Sequence, residues 1–293
     1  MEFLSRYLDI VINSYKSYTH YLIHEVLHPG WHNYFYWLLG LSLAVWILEM
    51  AFPWRSRQGK LRKDFFLDAF YMFFNFFLLS LIGYSAISNV GVQLFNDFLG
   101  LFGIRNIIAI EIQQWQVVMQ YLLMFVFADF IQWNIHRLLH RSPWLWEFHK
   151  LHHSVEEMGF AAHLRFHWME TIVYKSIQYI PLAMIGFGIQ DFFIIHIIAV
   201  AIGHLNHANL GWDYGTLKYI VNNPVMHLWH HAKSQPKGSY GVNFGLSLSI
   251  WDYLFGTAYV PSKVDPYEVL GFEDIAYYPK DFVHQELHGL SSK

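Results

Sequence analysis

The sequence predicts an all-α integral membrane protein with about four to five membrane-embedded helices. Of its 293 residues, 55% are hydrophobic and 19% aromatic, whereas only 14% are charged. Ordinary soluble domains carry about 25% charged residues. Long apolar stretches recur along the chain, and a helix needs about 20 apolar residues to cross a bilayer. These observations favour a membrane helical bundle over a soluble fold.

The composition also excludes several functional classes. The formal net charge is -3, which argues against a nucleic-acid-binding protein because such proteins are usually basic. The chain contains no cysteine, which excludes disulfides, iron–sulfur clusters, thiolate zinc sites and cysteine-ligated haem. Any bound metal must therefore be held by histidine, carboxylate or water.

Four apolar stretches predict the membrane-embedded helices. Three of them have the length of one helix each: 34–52, 65–87 and 117–133. The fourth, 171–202, is too long for a single span and is interrupted by the letters "GFGIQD". It predicts a helical hairpin whose turn uses Gly186 and Gly188.

The distribution of basic residues predicts the topology. The loop 54–63 carries five arginines and lysines, and such loops stay on the cytoplasmic side of a membrane. Counting spans from this loop places 134–170 and 203–293 on the cytoplasmic side as well. We expect three regions: an interfacial segment at 1–33, a membrane domain with a cytosolic histidine cap at 34–260, and a polar C-terminal tail at 261–293.

Histidines are concentrated in the two regions that this topology places together. The chain has 19 of them, and side chains three or four residues apart share a helix face. Neutral imidazole is the commonest metal ligand in proteins, and ten histidines exceed what one metal coordinates, so the pattern predicts a two-metal site. All-nitrogen ligation suits zinc, copper or iron, but zinc has no redox chemistry. The ten residues are the pair His136 and His140, the triplets His149, His152, His153 and His227, His230, His231, and the pair His204 and His207.

A second histidine ladder lies near the N-terminus, at His20, His24, His28 and His32. It contains "HEVLH", the five-residue pattern of zinc proteases. Pro29 and Gly30 should end the helix directly after it, and the topology places the ladder on the opposite side from the ten histidines. We therefore interpret it as part of an amphipathic interfacial segment.

The motifs "HRLLH", "HKLHHS" and "HLWHH", followed by "YGVNFGLSLSIWDYLFGT", resemble the fatty acid hydroxylase and sterol desaturase superfamily of membrane di-iron oxygenases. The resemblance covers about residues 120–260. The three residues between His136 and His140 are most similar to the sterol desaturase and alkylglycerol monooxygenase branch. The resemblance implies a membrane bundle with a cytosolic helical cap. It also implies two iron ions, dioxygen as co-substrate, and a bilayer lipid (sterol, fatty acyl or ether lipid) that is hydroxylated or desaturated.

The resemblance also implies the site residues. The expected metal ligands are His136, His140, His149, His152, His153, His207, His227, His230 and His231. His204, about one turn from His207, is the tenth, although Gly203 stands at the offset where the family has histidine or glutamine. A segment with His167 and Glu170 adds two candidates, and we expect His163 to support the ligands. Ligand histidines need polar partners that fix their tautomers. We expect Asp129, Asp252 and Asn243 in this catalytic role, with Glu147, Glu156 and Asp213 as further candidates.

The electron source and two alternative functions stay open at this point. No dinucleotide or flavin fingerprint is present, so the resemblance implies an external electron-transfer protein or reductase, or a pterin in the ether-lipid branch. The alternatives are a histidine-rich membrane zinc protein that acts as a hydrolase and one that only binds metal. The repeated triplets and the Trp251–Thr257 signature favour the oxygenase.

Overall fold

The computed structural model of the protein describes residues 2–104, 108, 112–187 and 189–290, and these residues contain helices and no strand. The predicted all-α class is confirmed. The α-helices are α1 (Glu2–Leu27), α2 (Tyr34–Ala51), α3 (Phe65–Phe73), α4 (Ser85–Leu101), α5 (Val117–Arg141), α6 (Pro143–His153), α7 (Trp168–Met184), α8 (Ile189–His207), α9 (Pro224–His231), α10 (Ile250–Leu254) and α11 (Phe282–Leu287).

Three helices are long and apolar enough to cross a membrane: α2, the continuous helix Phe65–Leu101, and α5. They coincide with the first three predicted apolar stretches. The predicted hairpin forms from α7 and α8, and its turn contains Gly186 with a φ of 84°; Gly188 lies outside the described residues. How many of these helices span the membrane stays a prediction.

The helix Phe65–Leu101 is longer than the sequence predicts, because α3 and α4 are joined through two π-helical segments, Phe74–Leu78 and Ser80–Tyr84. Gly83 has non-helical backbone angles within the second segment. The wide π turns interrupt the regular α-helical hydrogen bonding, and two tyrosines of α1 donate hydrogen bonds to carbonyls there. Tyr15 donates to the Ile82 carbonyl at 2.8 Å, and Tyr18 donates to the Phe77 carbonyl at 3.2 Å. The kink is therefore stabilised by α1.

The helix α1 occupies the region predicted as an interfacial segment and packs antiparallel to α4. Arg6 at its start forms an ion pair with Asp97 at 3.1 Å. It ends at Leu27, just before Pro29 and Gly30, as predicted. The ladder histidines lie on this helix and directly after it.

The helix α2 lies beside only the first half of the long helix. Its first residue, Tyr34, stacks on Phe76 with ring centroids 5.0 Å apart. Farther along α2, Leu38 joins a buried cluster with Met72 and Phe77. Helices α1 and α2 therefore divide the long helix between them at the π segments.

The basic loop 54–63 and the histidine helices lie at the same end of the bundle. Arg55 donates to the Asn209 side chain at 3.1 Å and to the Met158 carbonyl at 3.1 Å. Arg62 forms a buried ion pair with Asp68. Two of the five cations of the loop are therefore buried within the protein.

The region after residue 260, predicted as a polar tail, packs back onto the bundle as far as it is described. Leu270 bridges to Ala232 after α9. Phe282 of α11 contacts the Phe74 ring edge-on at 4.7 Å, and Glu286 accepts from the Trp168 backbone N–H at 3.0 Å. This region thus joins α3 to the beginning of α7.

The buried carboxylate of Asp68 predicts a strong effect on stability. It binds Arg62 and also Arg165, whose Nη1 lies 2.9 Å from Asp68 Oδ1. Asp68→Asn would leave both guanidinium groups inadequately paired, so we expect it to lower the free energy of unfolding by about 3–5 kcal/mol. Asp97→Asn, in the solvent-accessible pair with Arg6, is the matched control and should change stability little. Chemical denaturation of both variants in detergent measures this, and equal stabilities would contradict it.

Candidate metal centre

The structure brings nine of the ten predicted ligand histidines into two adjacent groups. Within each group the ligand nitrogens all lie within 4.8 Å of one another. Cluster A comprises His136 and His140 of α5, His149 and His153 of α6, and His230 of α9. Cluster B comprises His152 of α6, His207 of α8, and His227 and His231 of α9.

Each His-x-x-His-His triplet is divided between the clusters. In α6 the first and last histidines join cluster A and the middle one joins cluster B, whereas in α9 the assignment is reversed. Successive residues are about 100° apart around a helix, so the second and third members of a triplet point in different directions. The helical spacing alone predicts that each triplet converges on one face. The structure shows that each triplet serves both groups.

Backbone carbonyls of the loop before α10 fix three histidines of cluster A. The Nδ1 atoms of His136, His140 and His230 lie 2.7, 3.2 and 2.7 Å from the carbonyl oxygens of Phe244, Tyr240 and Val242. A carbonyl only accepts hydrogen bonds, so each Nδ1 carries the proton and each Nε2 keeps its lone pair for a metal. In cluster B, the Gly203 carbonyl oxygen lies 2.8 Å from Nδ1 of His207 and likewise holds the proton there.

The predicted catalytic residue Asp252 lies behind this carbonyl loop and does not contact a clustered histidine. Its carboxylate accepts from the backbone N–H groups of Phe244 and Gly245 at 2.9 and 2.8 Å, and from the Trp133 indole at 3.0 Å. Burial raises the pKa of Asp252, and the hydrogen bonds from Thr257 and these donors offset only part of that rise. Asp252 therefore orients the Phe244 carbonyl that binds His136.

Asp129 and Asn243 likewise support the backbone of this region. Asp129 accepts from the Ser247 N–H at 3.1 Å and from the Trp251 indole at 2.9 Å. Asn243 donates to the Met226 carbonyl at 2.9 Å and has a positive φ of 54°, a conformation that asparagine tolerates. The structure thus places all three predicted catalytic residues one layer outside the histidines.

The carboxylate that does approach a clustered histidine is Glu170, at the start of α7. Its Oε1 lies 3.0 Å from Nδ1 of His149, and both side chains are almost fully buried. Neither atom makes a well-aligned hydrogen bond, so a small reorientation of the His149 ring on metal binding would be needed for Glu170 to fix its tautomer and strengthen it as a ligand. In the sequence, Glu170 is a candidate only through the family resemblance, because its position relative to His149 depends on the packing of α7 against α6.

His204, the tenth predicted ligand, lies outside both clusters. Its Nδ1 is 3.0 Å from Nδ1 of His163, and its Nε2 is 3.2 Å from the Ser42 hydroxyl. The His163 ring occupies the space that a side chain at Gly203 would fill, since a Cβ added there would lie 2.1 Å from His163 Nε2. The glycine therefore makes room for a histidine from another part of the chain.

The remaining candidates are also separate from the clusters. His167 Nδ1 accepts from the Met169 N–H at 3.1 Å. Glu147 and Glu156 pair with lysines at 2.6 and 2.8 Å, and Asp213 accepts from a backbone N–H at 3.0 Å. In the N-terminal ladder, His24 and His28 are exposed and stack on each other at 4.6 Å. Among the described residues, the ladder forms no group with metal-binding geometry.

The chemistry of the two clusters fits metal ions. Five pairs of Nε2 atoms within them lie only 3.0–3.2 Å apart, so the ring nitrogens converge closely enough to share a metal ion within each cluster. Burial lowers the pKa of His149, His153 and His230 well below the ordinary value, and it does the same for His152, His227 and His231. These six rings are neutral at physiological pH, which is the form that binds metal.

Sequence comparisons agree with this arrangement of histidines. Residues 121–257 match the sequence model of the fatty acid hydroxylase family, a stretch that contains all nine clustered histidines. This part of the chain belongs to that family, as the sequence motifs predict. No solved structure matches the chain.

Three relatives illustrate the range of the family. The chain is 37% identical to an ornithine lipid hydroxylase of Rhizobium tropici over 51% of this chain and 45% of the relative. It is 30% identical to an alkylglycerol monooxygenase of Xenopus tropicalis over 51% of this chain and 32% of the relative. It is 26% identical to a very-long-chain aldehyde decarbonylase of rice (Oryza sativa subsp. japonica) over 78% of this chain and 75% of the relative. The first two matches thus span less than half the length of those relatives.

The contact between Glu170 and His149 predicts a selective loss of metal. Replacing such a carboxylate weakens metal binding by about 10–100-fold. We therefore expect Glu170→Gln to lower the metal content of cluster A and to leave cluster B occupied. Metal analysis during stepwise chelation should then resolve one weak and one tight site. Glu147→Gln, which alters a carboxylate paired with Lys150, is the control; an identical chelation profile for both variants would contradict the role of Glu170.

Proposed function

We propose that the protein is a membrane-bound di-iron oxygenase that uses dioxygen and external electrons to hydroxylate or desaturate a lipid. The observation that carries this proposal is the pair of adjacent, buried clusters of neutral histidines, five in one and four in the other. An all-nitrogen site suits iron, copper or zinc, and only the redox-active metals account for relatives named as a hydroxylase and a monooxygenase.

Cluster A would hold one iron and cluster B the other. When bound, the irons would supply the activation of dioxygen that attack on an unactivated C–H bond requires. The chain positions the ligands: the carbonyls of Tyr240, Val242 and Phe244 hold protons at Nδ1 of three histidines, and the Glu170 carboxyl lies 3.0 Å from Nδ1 of His149. Burial of the clustered rings excludes water, which would otherwise compete with the lipid.

The names of the relatives favour hydroxylation over desaturation and favour polar lipids over sterols. One relative is named for ornithine lipids and one for alkylglycerols. Both contain a glycerol or amino-acid head group, as their names state. We therefore propose an amphiphilic lipid with a polar head group as the substrate class and a hydroxylated lipid as the product.

The electrons would come from a separate protein or a pterin. The sequence contains no dinucleotide or flavin fingerprint. A cytoplasmic donor requires the histidine end of the bundle to face the cytoplasm, and the position of the basic loop 54–63 at this end supports that orientation.

Lipid analysis of cells tests the proposed reaction. Cells that express the protein should contain a lipid one oxygen heavier than in control cells, or two hydrogens lighter if the outcome is desaturation. His230→Ala and His152→Ala, which remove one ring from each cluster, should abolish that lipid and lower the iron content of the purified protein from about two per chain.

Two outcomes would contradict the oxygenase. One is full product formation by both histidine variants. The other is equal turnover by purified protein loaded with zinc alone, which would favour a hydrolase. His288→Ala, a histidine that contacts Glu147 outside both clusters, is the control for nonspecific effects.

The proposed orientation is testable because the chain has no cysteine, so that single introduced thiols give no background. Thr216 lies at the histidine end of the bundle and Asn96 lies near the end of α4, at the opposite end of the bundle. Both positions are exposed, and each is replaced by cysteine in a separate variant. In sealed vesicles with the extracytoplasmic side outward, we expect a membrane-impermeant maleimide to label Asn96→Cys only. Labelling of Thr216→Cys without permeabilisation would contradict the cytoplasmic placement.

A further inference from the structure

Helices α7 and α8 form a V that opens toward the histidine clusters. At the closed end, Leu182, Phe187 and Ile195 share a buried cluster with Met124 and Ala128 of α5. Farther from the turn the two helices have different partners: α7 packs against α5 and α6, whereas α8 packs against α2 and α9. The two arms of the V are therefore held apart by other parts of the fold.

Each arm of the V ends at a different histidine cluster. The beginning of α7 provides Glu170, which contacts His149 of cluster A. The end of α8 provides His207 of cluster B. The ends of α7 and α8 that are remote from the apolar turn therefore lie at the two clusters, which is where a lipid substrate has to present its reacting carbon.

The α7 arm carries one unpaired cation, Lys175. Its Nζ lies 4.3 Å from the centroid of the Tyr84 ring, a cation–π contact. No carboxylate among the residues that the structure describes lies within ion-pair distance of it, as no salt bridge includes Lys175. An unpaired charge in an apolar helix is costly and is usually retained for a function.

On α8, His196 is surrounded by aromatic rings, with the centroids of Tyr34 and Phe76 at 5.3 and 5.6 Å. Phe76 belongs to the same long helix as Tyr84. Lys175 of α7 and His196 of α8 therefore both contact the π-helical part of that helix.

The aromatic partner of Lys175 lies at an irregular point of the fold. Tyr84 ends the second π-helical segment, one residue after the kink at Gly83. π-Helical turns within α-helices occur frequently at functional sites. Here the kink places an aromatic ring opposite Lys175 in the V.

We propose that Lys175, with His196 and Tyr84, binds the anionic group of the lipid substrate, a carboxylate or a phosphate, and so directs oxidation to a carbon near the head group. The proposal rests on the proposed lipid oxygenase function and specifies its substrate class. An anion here would pair with Lys175 and face the imidazole of His196 in surroundings of low dielectric constant, where a charge-assisted contact is strong.

The position of Lys175 sets the region of the lipid that is oxidised. It follows Glu170 by five residues in α7, which corresponds to about 7.5 Å along the helix axis. An anionic group at Lys175 therefore lies only a short distance from the level of cluster A. A carbon a few bonds from this group would therefore reach the clusters.

Binding measurements on the purified, metal-free protein in neutral detergent test the proposal without requiring turnover. The probes are oleate for a carboxylate, phosphatidate for a phosphate and monoolein as a neutral amphiphile. We expect tighter binding of at least one anionic probe than of monoolein, and Lys175→Gln should weaken that binding by about tenfold or more. A dependence on Lys175 for oleate alone, or for phosphatidate alone, identifies the source of the anion.

Control variants separate binding from stability. Lys175→Arg should restore anion binding, and Lys16→Gln, at an exposed lysine of α1, should leave it unchanged. Because Lys175 has no ion-pair partner, Lys175→Gln should raise the melting temperature or leave it unchanged, whereas a purely structural lysine would lower it on removal.

Wild-type affinity of Lys175→Gln for both anionic probes would overturn the proposal. Failure of the oxygenase function would look different, because Lys175-dependent binding would persist while metal-loaded protein with dioxygen and a reductant gave no oxidised lipid. Where product does form, its added oxygen should lie near the head group, and oxidation at the methyl end would also overturn the proposal.

Discussion

The structure depends on one constraint: nine imidazoles must stay neutral and direct their lone pairs at two points. Burial keeps the clustered histidines neutral by lowering their pKa values, but burial alone does not choose which nitrogen carries the proton. The carbonyls of Tyr240, Val242 and Phe244 make that choice for three rings of cluster A. A short irregular segment, rather than a helix, therefore determines the chemistry of the centre.

The same constraint explains why the polar residues around the centre are layered. Asp252 holds the backbone N–H groups of Phe244 and Gly245, so that the Phe244 carbonyl is correctly oriented toward His136. Asp129 holds the following backbone through Ser247. Buried carboxylates that accept several N–H groups are well satisfied, and they rigidify the loop without competing with the histidines for metal.

The proposed lipid site depends on the same architecture. The helices α7 and α8 each deliver a group to a different cluster, and apolar packing against α5 closes their turn. On our proposal, the counter-charge of Lys175, which has no ion-pair partner among the described residues and contacts Tyr84, is supplied by the substrate.

The sequence by itself determined the helical class, the main apolar helices, the end of α1 at Pro29 and the nine clustered histidines, because hydropathy and helical spacing are local properties. It could not show that each triplet serves both clusters, since that depends on how α6 and α9 face each other. Nor could it separate the role of Glu170, at 3.0 Å from His149, from that of Asp252, which lies behind the loop. Only tertiary packing decided that the His163 ring fills the space beside Gly203 that a larger side chain would otherwise occupy. The two residues are far apart in the chain and meet only because α8 packs against the turn Phe160–Leu164.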